Sequence, residues 1–109
     1  MLNAATYSWA GLRTAFRNEA AFRQETWLIL IGIPLAFWLE ESANGRAIMI
    51  GALFLVLITE LLNSAIEATI DRISLDNHPL SKRAKDIGSA AVLLSLIATT
   101  TVWLLILAA

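Results

Sequence analysis

The 109-residue chain has no cysteine, one histidine and two prolines, and only 16% of it is charged. Without cysteine there is no disulfide and no thiolate metal site, and one histidine argues against a zinc cluster. Neither lack speaks to compartment. Eight lysines and arginines against nine acids leave a net charge of -1. The basic residues are scattered, so the concentrated basic face with aromatics that nucleic acid requires is missing, and no nucleic-acid partner is expected. Neither a Walker loop nor a protein-kinase glycine loop occurs, so nucleotide binding here has to be unconventional. Residues 1–9, Met1-Leu-Asn-Ala-Ala-Thr-Tyr-Ser-Trp9, lack the basic start and apolar core of a secretion signal, and the mature chain is expected to begin here.

What the chain has in excess is apolar surface. Hydrophobic residues make up 58% of a length that fits one domain and is too short to bury them alone. A bilayer is the solvent that fits this composition. At the N-terminal end, Tyr7, Trp9, Leu12, Phe16 and Phe22 interleave with Arg13, Arg17, Asn18, Glu19 and Arg23, a pattern for a helix lying in the headgroup layer. Residues 26–39 are uncharged but only fourteen long, short of the ~30 Å hydrocarbon layer, so this helix must start near Ala20. Pro34 is a possible kink. Residues 40–45 read as a polar turn, with Arg46 opening a second helix to Ile73; Pro79 ends the next loop, Ser81 caps, and an uncharged stretch follows from Ile87 to Ala109. The expectation is one all-α membrane domain over residues 1–109: a surface helix at about 3–20 and spans at about 21–40, 46–73 and 82–108. Arg13, Arg17, Arg23, Arg72, Lys82, Arg83 and Lys85 fall on one side against Arg46 on the other, which places the N-terminus and the 74–81 loop in the cytoplasm.

On the second helix, Glu60, Asn63, Ser64, Glu67 and Asp71 share one narrow face. Carboxylates in or beside hydrocarbon cost at least ~2.5 kcal/mol each at the bilayer centre, so such a stripe points to an ion or a proton transfer. Glu19, Glu60, Glu67, Lys85 and Asp86 all arrive at the cytoplasmic interface. Oxygen ligands without histidine or cysteine favour magnesium or calcium, and Glu19 with Glu67 beside Lys85 suits a metal nucleotide. Glu60, two turns deeper, would accept a proton from a hydroxyl whose owner lies in the membrane. Other uses stay open at this point. Glu60 and Asn63 would also serve as interhelical glue, Glu67 and Asp71 as surface charges pairing with Arg72 or Lys82, and Lys82, Arg83 and Lys85 as topology determinants. Gly32, Gly51 and Gly88 are read as points of close helix packing; Trp27, Trp38 and Trp103 as interface markers or gap fillers; His78 as a loop residue.

The pattern Glu60-x-x-Asn63-Ser64-Ala65-x-Glu67-x-x-x-Asp71-Arg72 resembles the signature of the small integral-membrane prokaryotic diacylglycerol kinases. Asn18-Glu-Ala-Ala-Phe-Arg-Gln-Glu25 and Arg83-Ala-Lys-Asp-Ile-Gly-Ser-Ala-Ala91 resemble that family's other two motifs, in the same order and spacing. The likeness covers nearly the whole chain. It implies a homotrimer of three-span subunits with a surface helix, set in the bacterial inner membrane among its lipids, phosphorylating diacylglycerol with Mg2+ and ATP at composite sites between subunits. It further implies Glu60 as general base, Glu19 and Glu67 as metal carboxylates, and Asn63 as the residue orienting them. The nucleotide would meet Tyr7, Ser8, Lys85, Asp86 and the Asp76-Asn77-His78 loop, with Glu19 and Glu67. The lipid would pass Trp9, Arg13, Arg23, Gln24, Glu25 and Ser89 on its way to Glu60.

Two departures accompany the likeness. Only Met1 to Thr6 precede the Tyr-Ser-Trp stretch, where the family has a longer basic segment, so contacts from that segment are not expected; the loop around Lys82 also differs. Gram-positive relatives of the same architecture prefer undecaprenol, while Glu-Ala-Ala-Phe-Arg-Gln-Glu is similar to the diacylglycerol type. Two other classes make distinct forecasts. A small cation transporter or channel needs polar residues through the outer half of the spans, where residues 48–58 and 92–107 offer only scattered Thr and Ser. A structural membrane subunit would lose assembly when Glu60 or Glu67 is changed.

Overall fold

The computed structural model describes residues 2–109, the side chain of Leu2 excepted, and among them every regular element is helical. The order is α1 (Leu2–Asn18), α2 (Ala20–Leu39), α3 (Ala43–Ile73) and α4 (Pro79–Ala108). The first break falls at Glu19, whose extended backbone (φ -115°, ψ 110°) separates the amphipathic α1 from the apolar α2. Helix α2 runs unbroken through Pro34 and, with 20 residues, is about 30 Å long.

Two boundaries differ from the sequence expectation. Helix α3 starts at Ala43 rather than Arg46, because Ser42 accepts the Gly45 N–H and caps it. Arg46 instead turns back to close α2: its guanidinium donates to the carbonyls of Glu40 and Phe37 and stacks 5.0 Å from the Phe37 ring. A cation there suits the negative end of the helix. Helix α4 starts at Pro79, not after Ser81. His78 Nδ1 accepts the Leu80 N–H at 3.0 Å as the cap, and Pro79 takes the first helical position, where a missing N–H costs nothing.

The three longer helices meet along narrow seams. Phe22, Ile29, Gly32 and Ala36 of α2 face Met49, Leu53, Val56, Glu60 and Asn63 of α3, and α4 contributes Gly88, Ser95 and Thr99. Small residues set the spacing: a Cβ on Gly32 would lie 2.6 Å from Leu53 Cδ1. Polar latches tie α4 to α3, since Thr99 Oγ1 donates to the Ala52 carbonyl (3.1 Å) and Trp103 Nε1 to the Met49 carbonyl (3.1 Å). Trp103 is thus an interhelical donor more than an interface marker. Replacing it with phenylalanine is expected to lower the stability of the α3–α4 pair by about 1 kcal/mol, read by equilibrium unfolding in mixed micelles.

Outside these seams the apolar surface stays uncovered. Helices α3 and α4 are each long and apolar enough to cross a membrane, yet only 28% and 11% of their most apolar stretches are buried. An excess of open Leu, Ile and Phe on helices of this length belongs in lipid or against other subunits. The chain is a membrane protein.

Candidate active site

The acidic stripe of α3 lies as its periodicity requires and grades from interior to surface. Glu60 and Asn63 are buried at 6% and 8% exposure, Glu67 is half-buried and Asp71 is exposed. Asn63 Nδ2 donates to Glu67 Oε1 one turn further on (3.2 Å), which fixes the rotation of both side chains. The other half of the amide, Oδ1, is buried without a partner. Helix α4 covers it with Gly88, and a Cβ at that position would fall on Asn63 Oδ1. A side chain there would have to displace the Asn63 amide, so glycine is favoured by close approach, not by backbone freedom.

Other carboxylates join this stripe from α2. Glu19, half-buried at the break before α2, and Glu67 both act electrostatically on Glu60, and Glu60 acts in turn on Glu25. Glu25 Oε2 is also buried without a partner. Among the described residues the two ion pairs are Lys82–Asp86 (2.6 Å) and Lys85–Asp71 (2.7 Å), and neither includes these four acids. Lys85 acts electrostatically on Glu67 while paired with Asp71, but carboxylates crowded together outside any direct ion pair favour a cation from outside.

The donor set fits magnesium. No group of three His, Cys, Asp or Glu close enough to hold an ion unaided occurs among the described residues. Magnesium commonly takes one or two carboxylates, with water and phosphate oxygens in the remaining positions. Glu19 and Glu67, which both act on Glu60, are carboxylates of the kind that could supply that pair.

At the loop end of the α3–α4 hairpin, a cavity of about 600 Å³ is lined by Asp76, Asn77, His78, Lys82, Lys85 and Asp86, among others. Of the residues expected on the nucleotide side, Asp76, Asn77, His78, Lys85 and Asp86 line it, while Tyr7, Ser8, Glu19 and Glu67 do not. Within it, Lys85 and Asp86 hold different partners: Lys85 pairs with Asp71 across the hairpin, and Asp86 pairs with Lys82 on its own helix. Asp71 therefore pairs with neither Arg72 nor Lys82. The signal for this was in the numbering, because in an antiparallel hairpin residues equidistant from the turn face each other, and Asp71 and Lys85 lie seven positions either side of His78.

The N-terminal residues are less tightly gathered. Ser8 and Glu19 line a cavity of about 770 Å³ between α1 and α3, opposite Leu61 and Ser64; the Ser8 hydroxyl is turned back onto the Ala4 carbonyl (2.8 Å). Tyr7, Trp9, Arg13, Gln24 and Ser89 are exposed, and one chain does not bring them together around Glu60. Arg23 is engaged at the end of α1, where Nη1 donates to the Phe16 and Arg17 carbonyls (3.0 Å each). No periodicity announces such a contact.

Residues 6–107 match the family model described as prokaryotic diacylglycerol kinase. The chain is 57% identical over 107 residues to the diacylglycerol kinase of Pseudomonas aeruginosa, covering 98% of this chain and 87% of that one. It is 50% identical over 107 residues to that of Escherichia coli K12 (98% and 88% covered) and 41% identical over 103 residues to that of Helicobacter pylori strain 26695 (94% and 80%). With three charged motifs, a graded acidic stripe and a full-length match in agreement, the chain belongs to the prokaryotic diacylglycerol kinase family.

Proposed function

We propose that this enzyme transfers the γ-phosphoryl group of ATP to the free hydroxyl of diacylglycerol, giving phosphatidic acid. The observation that carries the reading is the gathering of Glu19, Glu25, Glu60 and Glu67, none of them in an ion pair, on and beside membrane helices, in a chain up to 57% identical to proteins named diacylglycerol kinase. Glu60, buried on α3, meets a hydroxyl that arrives through the lipid and takes its proton. Asn63 holds Glu67 through its Nδ2 donor, and Glu67 with Glu19 would hold the nucleotide's magnesium. A metal held there would supply positive charge to offset the charge developing in transfer. Lys85, kept at the mouth of the loop cavity by Asp71, offers its ammonium to phosphate oxygens, while Asp86 and the Asp76–His78 loop, with Tyr7 and Ser8, enclose the nucleotide.

In this reading α2, α3 and α4 span the inner membrane, α1 lies on its cytoplasmic face, and three subunits form composite sites. The uncovered apolar faces of α3 and α4 support the assembly, as does the scatter of Trp9, Arg13, Gln24 and Ser89, which a neighbour's Glu60 would draw into one lipid path with Glu25. An ion path is disfavoured by a specific detail: the buried hydroxyls of the outer half, Ser95 and Thr99, donate to backbone carbonyls of Val92, Ser95 and Ala52 instead of lining a conduit.

The test is transfer of label from [γ-32P]ATP in mixed micelles offered diacylglycerol and undecaprenol in turn. Phosphatidic acid as the dominant product is expected. Preferential labelling of undecaprenol would change the substrate, and no lipid label at all would remove the kinase reading.

A further inference from the structure

Helix α1 is held to the rest of the chain by little. Of its described side chains only Ala15 is buried, and its aromatic residues Tyr7, Trp9 and Phe16 are 73%, 63% and 40% exposed. Yet α1 forms one wall of the cavity in which Glu19 sits, the other wall being Leu61, Ser64 and Ala68 of α3. What fixes α1 at its far end is a hydrogen-bonded corner. The Glu19 N–H donates to the Ala15 carbonyl (2.9 Å), the Glu19 carbonyl accepts from the Arg23 N–H (3.1 Å), and the Arg23 guanidinium reaches back to the Phe16 and Arg17 carbonyls. A helix C-terminus has unsatisfied carbonyls and a partial negative charge, and an arginine Nη1 answers both. Glu19 itself makes no side-chain cap bond. Its placement rests on the backbone of this corner.

We infer that Arg23 is a positioning residue for Glu19: it clamps the last turn of α1 onto the first turn of α2, and so sets where the Glu19 carboxylate stands and how wide the α1–α3 cavity is. This differs from a lipid-contact role for Arg23 and rests on Glu19 being a magnesium carboxylate. The clamp acts at the metal end of the site. A lipid contact would act on diacylglycerol.

The experiment compares wild type, Arg23→Gln, Arg23→Lys and Glu19→Gln in lipid bicelles. With Arg23→Gln, the Mg2+ concentration giving half-maximal rate is expected to rise about tenfold, as for a residue supporting a metal ligand, with the KM for diacylglycerol within about twofold of wild type. Arg23→Lys, whose ammonium still donates to a carbonyl, is expected to recover most of that shift. A second readout needs no turnover. Because the chain lacks cysteine, spin labels at Gly11→Cys and Ala68→Cys report the cavity width in labelled subunits diluted with unlabelled protein; Gly11 has open space around it and Ala68 is exposed. The distance distribution is expected to broaden in the Arg23→Gln background and to narrow again with Arg23→Lys. A raised diacylglycerol KM with unchanged Mg2+ dependence, or an unchanged label distance, overturns the inference. If Glu19→Gln leaves the Mg2+ dependence unaltered, the metal reading of Glu19 fails instead, and the label distances still decide whether Arg23 sets the corner.

Discussion

Replacing Glu60 with glutamine is expected to lower kcat by about 10²–10⁴-fold while the protein stays folded and assembled. The substitution keeps the volume of a side chain that is 6% exposed in a packed seam, so it opens no cavity. It also removes one negative charge from a site where Glu60 is repelled by Glu67 and Glu19, so stability holds or rises. Only the ability to take the proton is lost. If Glu60 were interhelical glue, the outcome would reverse: folding or assembly would weaken, and whatever protein remained intact would turn over normally. Steady-state rates measured beside size-exclusion profiles separate the two.

Glu67→Gln is expected to raise the Mg2+ concentration for half-maximal activity by at least about tenfold, because the metal loses a charged ligand. Geometry makes this variant clean. The carbonyl oxygen of a glutamine amide accepts from Asn63 Nδ2 as the carboxylate oxygen does at 3.2 Å, so Asn63 keeps its orientation and the effect isolates the charge. Excess Mg2+ should restore much of the rate for this variant and none of it for Glu60→Gln. Titrating Mg2+ at fixed ATP for both variants gives the contrast directly.

Much of this arrangement was legible before any coordinates. Hydrophobic runs and two polar breaks place the long helices to within a few residues, because a charge-free stretch in a chain this apolar has few other uses. The acidic stripe follows from 3.6-residue periodicity alone, and its gradient from buried Glu60 to exposed Asp71 follows from its position at the end of an apolar run. What periodicity could not reach are contacts from a side chain to distant backbone. Arg23 and Arg46 each close a helix end six to nine residues away, and charge composition reads both only as topology signals or surface residues. Helix starts were missed for a related reason: Ser42 and His78 cap by local geometry that Ser, Asn and His in polar turns share with ordinary loops. The meeting of Gly88 with Asn63, and of Lys85 with Asp71, depends on hairpin register, which the sequence specifies only once both helices are known to be antiparallel neighbours.

In the proposed mechanism the acids divide by depth: Glu60 for the proton of a lipid hydroxyl, Glu67 and Glu19 for a metal arriving with ATP. Equilibrium binding of Mg-ATP in the absence of lipid, to wild type and to Glu60→Gln and Glu67→Gln, tests that division most directly. The prediction is that Glu60→Gln binds within about twofold of wild type, having lost an interaction made only in the transition state, while Glu67→Gln binds at least about tenfold more weakly. Equal weakening of both variants, or wild-type binding by Glu67→Gln, would contradict it.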